Sequence, residues 1–136
     1  MLYGNLDSLE SSGMTGLLLY GDNITSAVSV LEGDTLQDLH LCVSGLKDKI
    51  CSQLGRPPDP SCSVIFMFPC VGRGPFMYDN TNNVECDKLH EVFPGVPVLG
   101  FFGQGEIACD ADSPLSTNVD YSYSTVFCLV EIKMIL

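Results

Sequence analysis

Between Asp34 and Gly55 the apolar side chains fall on a single stripe. Leu36, Leu39, Val43, Leu46, Ile50 and Leu54 return every third or fourth residue, and His40 is read onto the same stripe. That is the period of an α-helix with one buried face, and such a face must be laid against another apolar layer. Asp34 is the expected N-cap and Gly55 the residue just past the end. Lys47 and Lys49 sit towards the C-terminal half, where cations suit the helix dipole. The run Arg56-Pro57-Pro58-Asp59-Pro60-Ser61 cannot continue the helix, because proline lacks the N–H and clashes with the preceding turn.

The opposing layer is supplied by short extended runs. Ser63–Pro69 is a continuous apolar run with β-branched and aromatic residues, too short for a helix, so a buried strand is expected. Pro97–Phe102 is a second apolar strand, followed by a short extended piece through Ile107 and Ala108. A polar loop, Asp110–Asp120, then leads to Tyr121–Ile132, a long closing strand. In front, Thr15–Tyr20 and Ile24–Leu31 flank Gly21-Asp22-Asn23, which is turn chemistry, and the three together read as a β-hairpin. Asn83–Val92 is a shorter helix with Val84, Leu89 and Val92 inward, stopped by Pro94-Gly95. The order is β-β-α-β-α-β-β. It predicts an α/β domain, with α+β as the alternative: a mixed sheet with two packed helices, forming one domain over residues 1–136.

Charge narrows the function. Six Lys and Arg stand against 17 Asp and Glu, a net charge of −11. A nucleic-acid partner needs a basic face to displace counterions, and an anionic membrane needs a polybasic patch, so neither is expected. No apolar run approaches the ~20 residues that span a bilayer, and Met1–Asp7 lacks the basic and apolar regions of a signal peptide. The expectation is a soluble protein of the cytoplasm or nucleus. The seven cysteines are odd in number and scattered, with no Cys-x-x-Cys, which predicts reduced, mostly buried thiols.

Two glycine turns follow the buried strands: Pro69-Cys70-Val71-Gly72-Arg73-Gly74 and Gly100-Phe101-Phe102-Gly103-Gln104-Gly105-Glu106. If their strands are parallel neighbours, both turns share the rim where α/β sheets bind ligands. Cys70, Gly72, Arg73, Gly74, Gly100, Phe101, Phe102, Gly105 and Glu106 are the candidate binding residues. Glycines let a backbone approach a ligand, and Arg73 offers a planar donor fork. The plainer alternative is that Arg73 and Glu106 pair with each other to fix the turns. Cys70, at a strand end near an arginine, is the best candidate for a reactive thiol, weighed against an ordinary buried cysteine. His40 is expected in the core and His90 at the surface, so neither is assigned as a base to a cysteine. Neither turn has a phosphate-binding fingerprint. Asp110 and Asp112 with Glu106 lack the spacing of a calcium loop, and the plain reading is a solvated acidic loop. No catalytic residue, metal or cofactor is expected.

The two turns carry a resemblance. Phe66-Met67-Phe68-Pro69-Cys70-Val71-Gly72-Arg73-Gly74, then Asn83-Val84-Glu85, then Phe93–Asp110 with its Gly-Phe-Phe-x-x-Gly-Glu-Ile element, resemble the FIST C-terminal domain. The likeness is strongest over Ser63–Asp110, weaker over the front segment and first helix, and extends to the closing strand. The resemblance implies a non-catalytic binding module. In F-box members of the family, FIST domains recruit the protein substrate of a Skp1–cullin–F-box ubiquitin ligase. The alternative that the family implies is a sensor of small, amino-acid-like molecules. No F-box and no N-terminal FIST portion precede Met1, so this chain by itself is not expected to recruit Skp1. Its acidity suggests a basic protein partner.

Overall fold

The computed structural model describes residues 16–104, 106–108, 120–121 and 123–133. The first strand, β1 (Ile24–Leu31), leads through α1 (Leu36–Leu54) to β2 (Ser63–Pro69), and α2 (Val84–Val92) then leads to β3 (Val98–Gly100). Two 3₁₀ turns, Val71–Arg73 and Pro75–Tyr78, lie between β2 and α2. The short strands β4 (Glu106–Ile107) and β5 (Asp120–Tyr121) pair with each other, and β6 (Thr125–Ile132) closes the fold. The main sheet has the order β1-β6-β2-β3. Strands β2 and β3 are parallel, and β6 is antiparallel to both β1 and β2. The mixed sheet of an α/β domain, expected from the sequence, is what forms.

This order explains why the helices share a face. The crossovers β1-α1-β2 and β2-α2-β3 step in the same direction across the sheet. Crossovers between parallel strands keep one hand, so both helices land on the same side. Leu39, Val43, Leu46 and Ile50 of α1 and Leu89 of α2 are wholly buried there with Ile65, Phe127 and Leu129 of the sheet. Each such side chain contributes about 1.5–3 kcal/mol by leaving water.

The helix ends follow local chemistry. Thr35, not Asp34, caps α1: its Oγ1 accepts the Asp38 N–H at 3.0 Å, and Asp38 Oδ2 accepts the Thr35 N–H at 3.2 Å. A reciprocal pair outcompetes a lone aspartate one residue earlier. Gly55 closes the helix at φ 70°, donating to the Cys51 carbonyl at 2.8 Å. His40 is exposed, correcting the core placement, because it lies about 100° round the helix from Leu39.

The front hairpin does not form. Gly21 and Ile24 make the expected turn, with a 3.2 Å hydrogen bond, but residues 16–20 are not a strand. The partner of β1 is β6, about a hundred residues later, with Ile24 opposite Ile132 and Leu31 opposite Thr125. The closing strand is shorter than expected, starting at Thr125, and the third strand covers only Val98–Gly100. Most of the polar loop Asp110–Asp120, including Asp110 and Asp112, lies outside the described residues. The cysteines described (42, 51, 62, 70, 86 and 128) are free thiols, but half-buried rather than buried. No helix among the described residues is long and apolar enough to cross a membrane.

Candidate functional site

The carboxyl ends of β2 and β3 lie side by side, so the two glycine turns meet at one rim. Cys70 and Gly103 form a parallel bridge there. Val71 N–H donates to the Gly103 carbonyl at 2.7 Å, and Gly103 N–H to the Pro69 carbonyl at 2.9 Å. On the other side Cys70 N–H donates to the Ser124 carbonyl at 2.8 Å. The backbone of Cys70 is thus clamped between the end of β3 and the start of β6.

Two of the glycines serve the protein's own packing. A Cβ on Gly100 would stand 1.7 Å from the Met67 carbonyl oxygen, so β2 and β3 pair only without one. A Cβ on Gly72 would stand 2.7 Å from the Tyr123 ring. Gly74 has open space where a Cβ would be, its nearest neighbour being the Val71 carbonyl at 3.9 Å. Gly105 lies outside the described residues.

Arg73 is buried, and its donors point inward. Nε donates to Glu85 Oε1 at 2.8 Å, Nη1 to the carbonyls of Gly33 at 2.9 Å and Tyr123 at 2.8 Å, and Nη2 to the Tyr78 hydroxyl at 2.8 Å. The Tyr78 hydroxyl donates to Glu85 Oε1 at 2.6 Å, and Thr125 Oγ1 to Glu85 Oε2 at 2.6 Å. One guanidinium thereby ties together the end of β1, the second 3₁₀ turn, α2 and the start of β6. Burial disfavours the Arg73 cation, yet the hydrogen bond and charge of Glu85 hold its pKa above the ordinary value. Burial, then Glu85, pushes the Tyr78 phenol well up.

The pairing of Arg73 with Glu106 is therefore corrected: the partner is Glu85. Sequence reasoning missed it: Glu85, in the first turn of α2 and four residues before the inward-facing Leu89, is itself turned inward. An acid at that place needs a buried partner. Glu106, 4% exposed, accepts from Ser124 Oγ at 2.8 Å through Oε2. Its Oε1 is buried without a hydrogen-bond partner among the described residues. A third buried acid, Glu131, sits at the opposite end of β6, accepting from the Arg56 guanidinium, the Asp59 N–H at 2.8 Å and Ser63 Oγ at 3.3 Å.

The adjacent phenylalanines diverge. Phe101 meets Phe68 edge-on, with ring centroids 5.2 Å apart, on the sheet face away from the helices. Phe102 instead borders a concavity of about 200 Å³ on the helix side, shared with Arg73, Gly74, Pro75, Asn82 and Asn83. Arg73, Gly74 and Phe102 are thus brought together, while Phe101 is not part of that concavity. On the two glycine turns and the 3₁₀ turn that follows the first, Val71, Phe76 and Phe102 are exposed by 62%, 90% and 55%. Next to the concavity, sharing Tyr78, Thr81 and Val84, lies a cleft of about 550 Å³. Asp34, Asp79, Asp87 and Glu91 line this cleft, and its one cation, Lys88, is held by Glu91 at 2.6 Å.

The described residues form a mixed sheet with two linked glycine turns at one rim, and the family is identified by comparison. The FIST C domain model matches residues 17–109, and the chain belongs to that family. It is 32% identical over 136 aligned residues to F-box only protein 22 from Homo sapiens and, equally, from Pongo abelii. The match covers 91% of this chain but only 32% of those relatives, so the chain spans about a third of their length.

Proposed function

We propose that this chain is a protein-recognition module of the kind that holds the substrate of an F-box ubiquitin ligase, so that the bound protein is ubiquitinated and degraded. The relatives' name, F-box only protein 22, supports the setting. The observation that carries the reading is the set of exposed apolar side chains on the glycine turns and the 3₁₀ turn after the first. Val71, Phe76 and Phe102 stand exposed on a backbone that Arg73 and Glu85 hold rigid. Exposed aromatics on a preorganised rim are what protein interfaces use as anchors. The acidic cleft beside them suits a basic segment of the partner through complementary charge. The domain acts here as a non-catalytic adaptor in the cytoplasm or nucleus, and attachment to the Skp1–cullin machinery falls to an F-box.

The test is affinity capture with the chain as bait, comparing wild type with Phe76→Ser/Phe102→Ser and with Asp79→Asn/Asp87→Asn. Partners are expected to be lost from the first variant and to become less salt-sensitive in the second. A capture profile unchanged by both variants refutes the reading.

A second reading is favoured by the concavity itself: a small, amino-acid-like molecule held between Gly74, Asn82, Asn83 and Phe102. About 200 Å³ lies below the ~300–1,000 Å³ of drug-sized pockets and suits only a small ligand. A ligand that binds only the folded state raises Tm. Flat melting curves across millimolar amino acids and carboxylates exclude it.

A further inference from the structure

We infer that, given the protein-recognition function proposed above, the recognised segment is bipartite: one apolar side chain enters the concavity beside Phe102, and an arginine or lysine a few residues away lies in the acidic cleft. The two hollows are neighbours with a common wall of Tyr78, Thr81 and Val84. That wall is held from behind. The Tyr78 hydroxyl donates to Glu85 Oε1 at 2.6 Å and accepts from Arg73 Nη2 at 2.8 Å, and the Thr81 N–H donates to the Tyr78 carbonyl at 2.8 Å. A held wall sets the spacing of two occupants before either arrives, which lowers the cost of ordering them.

The hollows differ in chemistry. Met67, Pro69, Pro75, Val84 and Phe102 line the concavity of about 200 Å³. Its charged lining residues are satisfied within the chain. Arg73 donates to Glu85, Tyr78 and two carbonyls, and both Glu85 oxygens accept from side chains of this chain. An occupant therefore meets mainly apolar surface, in a space below the ~300 Å³ at which drug-sized pockets begin. That suits a single side chain. The cleft of about 550 Å³ has instead an apolar floor and an acidic rim. Met77 and Val84 are half-buried in it, whereas Asp34, Asp79, Asp87 and Glu91 are exposed. Among the described residues only Glu91 of these acids is paired with a cation, Lys88 at 2.6 Å.

Charge chooses the occupant of the cleft. Carboxylates beside an apolar floor match a side chain with an aliphatic stem and a cationic head. The stem of an arginine or lysine would lie along Met77 and Val84 while its head reaches Asp79 and Asp87. A metal ion is a poorer match, because no three His, Cys, Asp or Glu side chains among the described residues are grouped to hold one. A second copy of this chain, also at −11, is repelled. Spacing follows from the shared wall. Alternate side chains of an extended segment stand ~6.6 Å apart on one face, and a helix brings side chains together every third or fourth residue, so the apolar and basic residues fall about two to four apart. Exposed charge pairs add little affinity each, so the apolar side chain supplies most of the binding and the carboxylates supply selectivity and encounter rate.

The experiment titrates the isotope-labelled full chain with synthetic Gly/Ser peptides of about ten residues and follows its amide resonances up to ~1 mM peptide, where weak association is visible. Each peptide carries one Leu and one Arg at varied separation, and controls replace the Arg by Glu or the Leu by Ser. Peptides of the inferred separation are expected to shift amides at both hollows, Gly74 and Phe102 at one, Asp79, Thr81 and Asp87 at the other. Both controls should bind more weakly. Asp79→Asn/Asp87→Asn changes exposed positions only and should weaken the Leu/Arg peptide about tenfold at low salt and remove most of its salt dependence. Silence at both hollows for every separation, equal binding of the Arg and Glu peptides, or shifts confined to other surfaces overturns the inference. If capture of protein partners still depends on Phe76 and Phe102 while every peptide is silent, the bipartite motif alone is overturned. Peptide binding at both hollows with capture indifferent to Phe76→Ser/Phe102→Ser supports the motif and counts against the recognition function.

Discussion

Arg73 and Glu85 form a buried ion pair at 2.8 Å, with both side chains nearly inaccessible, and it spans the 12 residues from the first glycine turn to the opening of α2. Removing one member strands the other charge away from water. Arg73→Met or Glu85→Leu is expected to cost about 3–5 kcal/mol, whereas Arg73→Met/Glu85→Leu should cost much less than the two single losses added together. Urea unfolding of the four proteins in a double-mutant cycle measures this. Additive losses would mean that the pair is not coupled.

Part of this arrangement was legible in the chain. The stripe from Leu39 to Ile50, the terminating Gly55 and the run Ser63–Pro69 each encode their element locally, through period, cap and length. The two glycine turns were legible as neighbours once their strands were taken as parallel. What was not legible depends on distant partners. Residues 16–20 resemble a strand, but the edge they would need remains open while β1 pairs with β6. Glu85 and Glu131 look like surface acids until Arg73 and Arg56 are brought to them in space. The divergence of Phe101 from Phe102 depends on the backbone at the end of β3 and leaves no trace in composition.

Glu131 makes stability depend on acid. Burial alone would raise its pKa, but the Arg56 hydrogen bond, the Asp59 N–H and Ser63 hold it below the usual glutamate value. A depressed folded-state pKa stabilises fully above the unfolded value, and that stability is lost as pH falls through the folded value. Urea midpoints should therefore be level near neutrality and decline below about pH 4.5, the ordinary glutamate range. Glu131→Gln should start lower and decline less over that interval. Parallel curves for the two proteins would show that Glu131 is not responsible.

The glycines separate by cause. Gly100→Ala places a Cβ against the Met67 carbonyl, a backbone atom that cannot swing aside. Overpacking at this point should cost more than the usual ~1–3 kcal/mol and release β3 from the sheet. Gly55→Ala meets no atom but keeps φ at +70°, so its cost should be only about 1–2 kcal/mol. Amide hydrogen exchange distinguishes them. Gly100→Ala should lose protection at Ile65–Met67, and Gly55→Ala only at the end of α1. The reverse pattern would place the close approach elsewhere.

Thiol chemistry gives an independent view of the buried charge. Burial, with a further contribution from the Glu85 carboxylate, pushes Cys42 up to about 11. At pH 8 only about one Cys42 in a thousand is then a thiolate, the form that alkylates. Iodoacetamide labelling followed by peptide mass spectrometry should find Cys42 nearly unmodified at pH 8 and reactive only at strongly alkaline pH. Because Glu85 contributes to the shift, Glu85→Gln should move the Cys42 labelling curve to lower pH if the helix remains folded. The thiol would then report the ion pair from α1, the helix packed across from it. A Cys42 that labels at pH 8 like a free thiol would contradict both its burial and its proximity to the Glu85 charge.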